Sequence, residues 1–580
     1  MTPPLPAPGR LGFARAADVD QFVERLAAFE AGALSADDWR AFRVLNGVYG
    51  QRQDGLNMIR AKLPGGIVTP AQLTALADVA ERHAGGRCHV TTRQNVQFHF
   101  VPTADVEAAL RQLADAGITT REACGNSVRN WTCCPFAGVS ADEPFDPTPY
   151  LEALARHLLR GPYSATLPRK LKPSIGGCCG TDCSQAFIND LGVLARVRPG
   201  ADGAPARGFQ VVAGGGLSTL RRSALVVDDF VPEAELLDAA DAVVRVFHRV
   251  GNRHNRAKAR LKWAIDKLGK DAFLAEYQAE RARIRAEGGA PLRLPAQPEP
   301  LTRRAPLAQA EPADPAYAAW AADGVRRQKQ PGFAAVVIRL VLGDLTADQL
   351  RGLAPLVTAH GEGELRTTNE QNLVLRYVPE AHLPRLHRAL AALGLARAGA
   401  NTLADVTSCP GASSCKLAVT ASRGLASELT AQLDDLLARR PALAAATRGL
   451  DVKVSGCPHG CGQHYIAGLG FQGGMRKLAG RPAPQYLVYA GGGLRPDGAD
   501  FGRLLGKVPA RRVGAALERL LDHYLAAGAP GRGFFASAPV DELRAVIAPL
   551  TELADADATE ADFIDLGDTA PFAVGPDEAA

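Results

Sequence analysis

The two halves of the chain repeat each other. Five short motifs recur in the same order, at separations between 275 and 279 residues. The paired motifs are His89–Val96 with Arg366–Leu373, Cys134-Pro135 with Cys409-Pro410, Gly177-Cys178 with Gly456-Cys457, Ile188–Gly192 with Ile466–Gly470, and Ala213–Leu217 with Ala490–Leu494. One such match is weak, but five at nearly constant spacing indicate an internal duplication. We therefore predict a pseudo-twofold protein and not a long solenoid.

Each half mixes helical and strand patterns. Apolar residues recur at helical spacing over Thr69–His83 and Thr346–Ala359, whereas Val90–Val101 and Leu365–Val378 have the character of strands. This mixture predicts an α+β fold with antiparallel or mixed sheets. A Pro- and Ala-rich stretch over 288–315 predicts a linker between the halves.

Composition excludes several classes of protein. With 580 residues, of which 47% are apolar and 22% charged, the chain suits two to four globular domains. It has no apolar run of about 18 residues and no secretory signal, so we expect a cytoplasmic protein without a membrane span. Eleven cysteines are too few for a disulfide scaffold of this length. Clustered cysteines are therefore predicted to be metal ligands or redox groups.

The net charge of +5 conceals an asymmetry. Nine acidic residues and no basic ones follow Thr551, so the first 550 residues carry a formal charge of +14. A basic body favours an anionic ligand or an acidic partner, and no nucleic-acid motif accompanies it. We predict a disordered acidic tail over 551–580. A basic helix is predicted from Arg245 to Lys267, solvated or in contact with a cofactor or an acidic electron donor.

Four C-terminal cysteines form the sharpest pattern, Cys409-x5-Cys415 followed by Cys457-x3-Cys461. An iron–sulfur cluster needs four thiolates that converge on one small volume, and two pairs on turns can supply them. Flanking glycines would let the backbone approach inorganic sulfide; these are Gly411, Gly456, Gly460 and Gly462. The alternatives are a structural zinc site, which the x5 spacing disfavours, or plain buried thiols.

Cys-x5-Cys followed by Cys-x3-Cys, in a duplicated chain of this size, resembles the sirohaem-dependent sulfite and nitrite reductase family over roughly Ala41 to Leu550. The resemblance implies a [4Fe–4S] cluster on these four cysteines, with Cys461 bridging one cluster iron to the sirohaem iron. It also implies the six-electron reduction of sulfite or nitrite. Electrons would come from reduced ferredoxin or from a separate NADPH flavoprotein subunit, because the chain shows neither a flavin nor a ferredoxin module.

The segment Thr91–His99 resembles the sirohaem-binding strand of that family. Strand periodicity would place alternate polar residues on one face, namely Thr91, Arg93, Asn95, Gln97 and His99. Sirohaem carries eight carboxylates, so its pocket must be rich in cations and hydrogen-bond donors. We predict that Thr91, Arg93, Gln97 and His99 contact the macrocycle. The alternative is an amphipathic strand with one face in water.

Three further motifs supply cations for an anionic substrate: Asn57–Arg60, Gly125–Asn130 and Leu167–Lys172. By similarity to the family, the anion site consists of Arg60, Arg129, Lys170 and Lys172, and Arg169 touches the macrocycle. Positioned Arg and Lys attract the anion, and lysines or ordered waters relay protons. Sulfite reductases of the family resemble this Lys-x-Lys pair, whereas plant-type nitrite reductases tend to carry Asn second. Lys172 therefore favours sulfite.

Two features remain open. Cys178, Cys179 and Cys183 match the repeat positions of Cys457 and Cys461, but Ser140 stands where Cys415 would be, so we interpret them as vestigial, with metal binding as the alternative. Tyr49 and Cys124 match positions that form a thioether in some ferredoxin-dependent members, and a similar link is a hypothesis here.

The predicted boundaries follow the repeat: an N-terminal extension over 1–40, a ferredoxin-like half-domain over 41–120, a sirohaem and substrate domain over 121–285, a linker over 286–315, a second ferredoxin-like half-domain over 316–398, a [4Fe–4S] and sirohaem domain over 399–550, and the tail over 551–580. A nitrite reductase of the same fold is one alternative. A non-catalytic iron–sulfur or zinc protein is another, although an electron carrier needs no anion pocket.

Overall fold

The strands of the four large sheets follow one another in the same order in both halves of the computed structural model, which describes residues 11–177, 182–200, 203–301, 314–529, 531 and 533–574. The helices are α1 (Ala16–Glu30), α2 (Ala36–Leu45), α3 (Pro70–His83), α4 (Val106–Asp115), α5 (Thr148–Leu158), α6 (Leu236–Val250), α7 (Leu261–Leu268), α8 (Lys270–Ala286), α9 (Tyr317–Gly324), α10 (Ala347–His360), α11 (Leu383–Ala392), α12 (Ser422–Arg439), α13 (Pro441–Ala446), α14 (Val513–Ala526), α15 (Phe534–Ser537) and α16 (Val540–Thr551). The strands are β1 (Val48–Gly50), β2 (Leu56–Ala61), β3 (Ile67–Val68), β4 (Arg87–Val90), β5 (Val96–Pro102), β6 (Thr132–Cys133), β7 (Pro173–Gly176), β8 (Leu191–Pro199), β9 (Pro205–Ala213), β10 (Leu225–Pro232), β11 (Val325–Arg327), β12 (Phe333–Ile338), β13 (Asp344–Thr346), β14 (Leu365–Thr367), β15 (Leu373–Pro379), β16 (Thr407–Ser408), β17 (Val452–Ser455), β18 (Leu469–Leu478), β19 (Arg481–Ala490), β20 (Gly493–Arg495), β21 (Gly498–Asp500) and β22 (Arg503–Pro509).

Four five-stranded sheets occur as two matched pairs. The order β1-β2-β5-β4-β13 matches β11-β12-β15-β14-β3, and β10-β9-β8-β7-β6 matches β22-β19-β18-β17-β16. In the second pair, β6-β7-β8 and β16-β17-β18 run parallel while the remaining neighbours are antiparallel. The duplicated α+β fold is confirmed, and the predicted helices over Thr69–His83 and Thr346–Ala359 correspond to α3 and α10.

The two ferredoxin-like half-domains exchange strands. Strand β13 of the second half pairs with β4 of the first, and β3 of the first half pairs with β14 of the second. Gly66, at φ +70°, packs so closely on Thr367 at this crossing that a Cβ would lie 2.3 Å from the Thr367 hydroxyl. One hydrophobic core therefore runs through both units. The predicted half-domains 41–120 and 316–398 form one body.

The predicted N-terminal extension is part of this body. Val19, Phe22 and Trp39 of α1 and α2 lie in the shared core. Ser35 caps α2 by accepting the backbone N–H of Asp38. Residues 11–45 are therefore held on this body by the burial of their apolar side chains.

The polar strand predicted over Val90–Val101 is wrong in its first part, because Thr91–Asn95 form a hairpin turn between β4 and β5. Gln94 has φ 56°, and the Thr91 hydroxyl accepts the backbone N–H groups of Arg93 and Asn95 at 3.2 Å each. Local side chain-to-backbone bonds of this kind compete with a sheet ladder. Of the five polar residues that were predicted to share one face of a strand, only Gln97 and His99 lie on β5.

The basic stretch is not one helix. Helix α6 ends at Val250 and α7 begins at Leu261. Between them, the Asn252 side chain accepts the backbone N–H groups of His254 and Asn255 and holds a turn. None of the helices in the described ranges is both long and apolar enough to cross a bilayer.

The disorder predicted for the acidic tail is wrong over 551–574. Phe563, Leu566 and Phe572 are buried, and the Asp565 carboxylate accepts the backbone N–H of Ala421 at 2.6 Å. Apolar residues interspersed with the acidic ones anchor this segment. Residues 575–580 lie outside the described ranges, as does part of the linker (302–313); the linker residues 288–301 contain neither helix nor strand beyond one turn.

Domains 121–285 and 399–550 meet through equivalent surfaces. Phe187 of the first and Tyr465 of the second belong to one apolar cluster between them. Beside it, the Gln185 amide donates to Gln463 Oε1 at 3.0 Å and the Gln463 amide donates to Gln185 Oε1 at 2.5 Å. Both glutamines have left-handed backbones, with φ 60° and 66°. A pseudo-twofold axis therefore passes between these two residues.

Candidate active site

The four C-terminal cysteines come together. Cys409 and Cys415 lie on the loop between β16 and α12, and Cys457 and Cys461 lie on the turn after β17. Burial raises the pKa of the Cys409, Cys415 and Cys457 thiols, that of Cys415 to about 11, and the charge of Cys461 raises each further. Such mutual electrostatic effects require the thiols to be close together. The first three are buried or half-buried, whereas Cys461 is exposed.

Hydrogen-bond donors surround the buried thiols. Gly456 N and Ser422 Oγ lie 3.3 Å from Cys409 Sγ. Backbone N–H groups of Leu417 and Ala418 lower the pKa of Cys415, and that of His459 lowers the pKa of Cys457. Donors of this kind stabilise thiolates and tune iron–sulfur clusters. Four thiols with amide donors fit an iron–sulfur cluster.

The flanking glycines pack closely against the protein. A Cβ on Gly411 would lie 2.4 Å from Ser422 Oγ, one on Gly456 would lie 2.6 Å from Thr420 O, and one on Gly462 would lie 1.9 Å from Val454 O. The predicted approach of their backbone to inorganic sulfide stays a prediction. No three His, Cys, Asp or Glu side chains of the described chain converge tightly enough to hold a single metal ion.

The hairpin turn of the first half touches the thiol turn of the second. Thr92 Oγ1 donates to Cys461 O at 2.9 Å. Next to it, the Arg93 guanidinium donates to Asn189 Oδ1 at 2.7 Å, to Asn130 O at 2.6 Å and to Pro173 O at 2.9 Å. Arg93 thus fixes the turn on domain 121–285, and its Nε has no hydrogen-bond partner within the described residues.

Arg60 and Gln97 are cross-strand neighbours on β2 and β5. With its amide oxygen turned toward Arg60, Gln97 accepts two N–H groups of the guanidinium at 2.6 and 3.1 Å. The same guanidinium donates to Ala123 O at 3.3 Å and lies 3.2 Å from Cys124 Sγ. Cys124 and Tyr49 belong to one small apolar cluster, so the structure brings this predicted pair together.

Lys170 and Lys172 flank Leu171, which forms a parallel bridge with Val128. Arg129, the residue after Val128, donates two guanidinium N–H groups to Gly125 O at 2.8 and 3.0 Å. The projection of both lysines to one side of this segment stays a prediction.

A buried carboxylate anchors the lysine segment. Asp190 accepts the backbone N–H of Lys172 at 2.8 Å and receives two N–H groups of Arg260 at 2.7 and 2.9 Å. A role for Asp190 was not predicted, whereas Arg260 lies in the basic stretch from Arg245 to Lys267 for which contact with a cofactor was one alternative. Since the carboxylate is shared between a backbone amide and a guanidinium, it positions Lys172 without neutralising its ammonium group.

Positive charge accumulates in this pocket. Burial lowers the pKa of Lys170 to about 7, and Arg129, Arg260 and Arg169 lower it further. Burial also lowers the pKa of Lys172 well below its usual value, with Arg260 and Lys170 adding to the effect. The pKa values of Arg93, Lys62 and Arg169 are lowered in the same way, to about 9 for Arg93 and about 8 for Lys62. Such an excess of buried cations fits a polyanionic ligand.

The charge of the exposed Cys461 thiol acts on cations of the other half. The charge of Cys461 raises the pKa of both Lys170 and Lys172, in opposition to burial. Between the cysteines, burial lowers the pKa of His459 to about 4, and Lys170, Arg169 and Lys172 lower it further. His459 is a residue that the sequence did not single out.

His99 lies on β5 near His89 and Arg60. Neither ring nitrogen has a hydrogen-bond partner in the described part of the chain. Burial lowers its pKa to about 3, and its ring lies 6.1 Å from that of His89. Two unsatisfied nitrogens on a buried imidazole are unusual and suit a polar ligand.

Comparison with known proteins agrees with this geometry. Residues 124–284 match the family described as nitrite and sulphite reductase 4Fe-4S domain, and residues 49–116 and 326–393 match the nitrite/sulfite reductase ferredoxin-like half domain. A sulfite reductase [ferredoxin] of Mycobacterium tuberculosis is 31% identical over 542 residues, 89% of this chain and 91% of that one. The chain belongs to the nitrite and sulphite reductase family. As a member it is an oxidoreductase with an iron–sulfur domain.

Other members of the family are similarly related to the chain. Ferredoxin–nitrite reductase, chloroplastic, of Arabidopsis thaliana is 30% identical over 455 residues, 77% of this chain and 72% of that one. The solved structure of Mycobacterium tuberculosis NirA protein superposes with a TM-score of 0.75 at 29% identity, over 91% of this chain and 97% of that one. The predicted family and fold are thereby confirmed.

The segment that matches the 4Fe-4S domain family, residues 124–284, lies in the first half of the chain. The four clustered cysteines lie in the second half, in the repeat of that segment. The first-half copy retains one mirrored contact, from Asn369 Nδ2 to Cys183 O at 3.4 Å, which repeats that of Thr92 with Cys461. Cys178 and Cys179 lie outside the described residues. Cys183 therefore occupies the backbone position of Cys461 in the other copy.

Proposed function

We propose that the chain reduces sulfite to sulfide with six electrons at a sirohaem coupled to a [4Fe–4S] cluster through Cys461. The observation that carries the proposal is the contact between the halves at Cys461, one of the four cysteines, whose carbonyl accepts the Thr92 hydroxyl at 2.9 Å and whose charge acts on Lys170 and Lys172 of the other half. A cluster alone would need no such cations. The sirohaem, when bound, would supply the iron at which sulfite is reduced.

The polyanionic macrocycle would be held by residues in and around the hairpin turn. We propose Arg93 Nε, Gln97, His99 and Arg169 as its partners, since Arg93 and His99 have buried nitrogens without partners within the described chain. Thr91 contributes by shaping the turn, because its hydroxyl accepts two backbone N–H groups there. Cys409, Cys415 and Cys457 would hold the cluster together with Cys461.

Arg60, Arg129, Lys170 and Lys172 would bind the substrate anion and deliver protons. Each oxygen of sulfite must leave as water, which consumes two protons per oxygen. The pKa of Lys170 is about 7 without a ligand, and a bound polyanion raises it, so the ammonium is protonated at neutral pH and can donate. Arg129 is tied to its own loop carbonyls and would act as a fixed positive charge.

Reduced ferredoxin is the proposed electron donor, because relatives are named for it and the basic body suits an acidic carrier. A separate flavoprotein is the alternative. The proposed location is the cytoplasm, where thiol ligands stay reduced.

Nitrite is the second candidate substrate, since a chloroplastic nitrite reductase is 30% identical. The test is the ratio of kcat/KM for sulfite and nitrite, measured with a single reduced donor. Purified protein with strong Soret and red absorption bands, turning over sulfite, supports the proposal. A colourless protein that binds only zinc would instead support the non-catalytic alternative.

A further inference from the structure

A groove of the first half is filled by the N-terminal segment of the chain. The Gln72 side chain donates to Leu11 O and to Ala116 O, both at 3.3 Å. Phe13 N and the next backbone amide donate to Gly117 O at 2.8 and 3.1 Å. A Cβ on Gly117 would lie 3.0 Å from Gly12 Cα. The groove thus holds a short extended peptide against a Gln and a Gly.

The second half carries equivalent hydrogen-bonding groups, and none of the described residues occupies the space beside them. Gln349 and Gly394 stand 277 residues after Gln72 and Gly117. Gln349 Nε2 donates to Leu393 O at 3.1 Å, as Gln72 does to Ala116 O. Within the described chain no N–H is donated to Gly394 O, and the atom nearest to a Cβ on Gly394 is Gln349 Nε2 at 3.9 Å. A cavity of about 410 Å³ occupies the position of the peptide.

This cavity, which we call the second groove, lies between β13, the loop after α11 and the start of α12, and Gln349, Gly394 and Ser427 are among its lining residues. Its volume falls within the range of about 300–1,000 Å³ usual for ligand sites. The hydrogen-bonding groups that its first-half counterpart offers to a peptide backbone are retained.

The second groove is more basic than its counterpart. Four arginines line it with a single acidic residue, Asp344; they are Arg87, Arg339, Arg397 and Arg423. At the matching positions of the repeat, the counterpart groove has Glu364, Lys62 and Thr120 in place of Arg87, Arg339 and Arg397. Arg423 is paired with Asp344, and Asp434, which lies outside the lining, pairs with both Arg339 and Arg397. The Arg397 side chain remains 44% exposed, and Arg87 is exposed without an ion pair within the described residues. The net charge of the lining therefore favours an anionic occupant.

We propose that the second groove binds a short extended peptide with carboxylate side chains, contributed by a partner protein. A peptide fits because Gln349 and Gly394 O would receive its backbone as Gln72 and Gly117 O receive Leu11–Phe13. Carboxylates fit because arginine forks pair with them bidentately. A small residue is expected at the centre, opposite Gly394, as Gly12 stands opposite Gly117.

The test uses the full chain with its cofactors and a fluorescein-labelled peptide Asp-Leu-Gly-Phe-Asp, followed by anisotropy. We expect saturable binding that weakens with salt, and no binding of Lys-Leu-Gly-Phe-Lys. Ser427→Glu, at an exposed helix position beside Arg423, should weaken binding by about 10-fold or more through like-charge repulsion. Ser427→Gln is the matched neutral variant and should bind as the parent does.

Arg439→Glu changes charge on the same helix, about 18 Å away by the helical rise, and should leave binding intact. The proposal is overturned if both peptides bind alike or if Ser427→Glu binds with parental affinity. It is also overturned if free succinate competes as well as unlabelled peptide, which would assign the groove to a small anion. A concentration-dependent dimer abolished by Ser427→Glu would assign it to a second copy of the chain.

Discussion

Gln185 and Gln463 stand 278 positions apart and exchange side-chain hydrogen bonds across the centre of the molecule. Each amide is both donor and acceptor for the other, and both side chains are buried. A residue paired with its own repeat in this manner marks the local twofold axis. The contact joins the two cofactor domains without using any residue of the active site.

Removal of one member of this pair should destabilise the protein more than removal of both. Gln185→Leu leaves the Gln463 amide buried and unpaired, so we expect a loss of about 1–3 kcal/mol in the free energy of unfolding. The double variant Gln185→Leu/Gln463→Leu should recover most of that loss. Urea unfolding of the parent, both single variants and the double variant forms the cycle, and additive losses would contradict the reciprocal pairing.

Cys461→Ser should abolish the coupling between the cluster and the macrocycle. We expect sulfite turnover to fall by at least about 100-fold, with loss of bound tetrapyrrole, because a ligand shared by two centres is removed. Cys183→Ser is the matched control, since Cys183 has the equivalent backbone contact in the other half. Iron content and the Soret band are the measurements. Full occupancy and full turnover in Cys461→Ser would refute the proposed bridge.

Lys172→Asn should shift preference from sulfite toward nitrite. Lys172 adds a positive charge that a dianion uses more than a monoanion does. We expect the ratio of kcat/KM for sulfite to that for nitrite to fall by about 10-fold or more. Because Asp190 holds the Lys172 backbone and not its side chain, the segment should keep its place. An unchanged ratio would remove Lys172 from the determinants of substrate choice.

In protein stripped of its cofactors, the contribution of Lys62 to stability should rise with pH between about 8 and 10.5. Burial lowers the pKa of Lys62 from 10.5 to about 8, so between these values the unfolded chain holds a proton that the folded chain has released. Stability then rises with pH, by about 3 kcal/mol over that window for this one group. Lys62→Met should flatten this rise, whereas exposed Lys267→Met should not. Chemical unfolding at several pH values provides the measurement.

Tyr49 and Cys124 should be found joined by a thioether in protein purified from its native host. The link forms one C–S bond, breaks a ring C–H and the S–H bond, and passes two electrons and two protons to an oxidant such as dioxygen. A proteolytic map should then show both peptides as one species, lighter by two hydrogen atoms than their sum. Recovery of both peptides separately and unmodified would disprove the link.

Much of the fold was predictable because the internal duplication can be recognised in the amino-acid sequence. The order of motifs around Thr91, Cys134 and Gly177 recurs in the second half, and the matched sheets follow from it. The exchange of β3 and β13 was not predictable, because strands of two or three residues have too little pattern to show their partner. The turn at Thr91–Asn95 was missed because polar residues continue to alternate through it, as they would in a strand. In the structure, the Thr91 hydroxyl stabilises the turn by accepting two backbone N–H groups.

The cationic site could be predicted from motifs, but its supporting residues could not. Asp190 and Arg260 are 70 residues apart and meet only in the fold. A usable signal was nevertheless present: Arg93 and Asp190 stand opposite Glu370 and Gly468 in the repeat. Positions at which two otherwise similar halves differ in charge point to the place where only one of them does chemistry.

The exchange of β3 and β13 between the two half-domains also limits how the chain can be divided into fragments. A cut in the linker would yield two fragments, each lacking the edge strand that the other supplies, with an open backbone edge beside an incomplete interior. Such fragments would have to be made together and assemble as a heterodimer. Because both halves belong to one polypeptide, each half always has its complementary half beside it. Two separately translated subunits would have to find each other by diffusion.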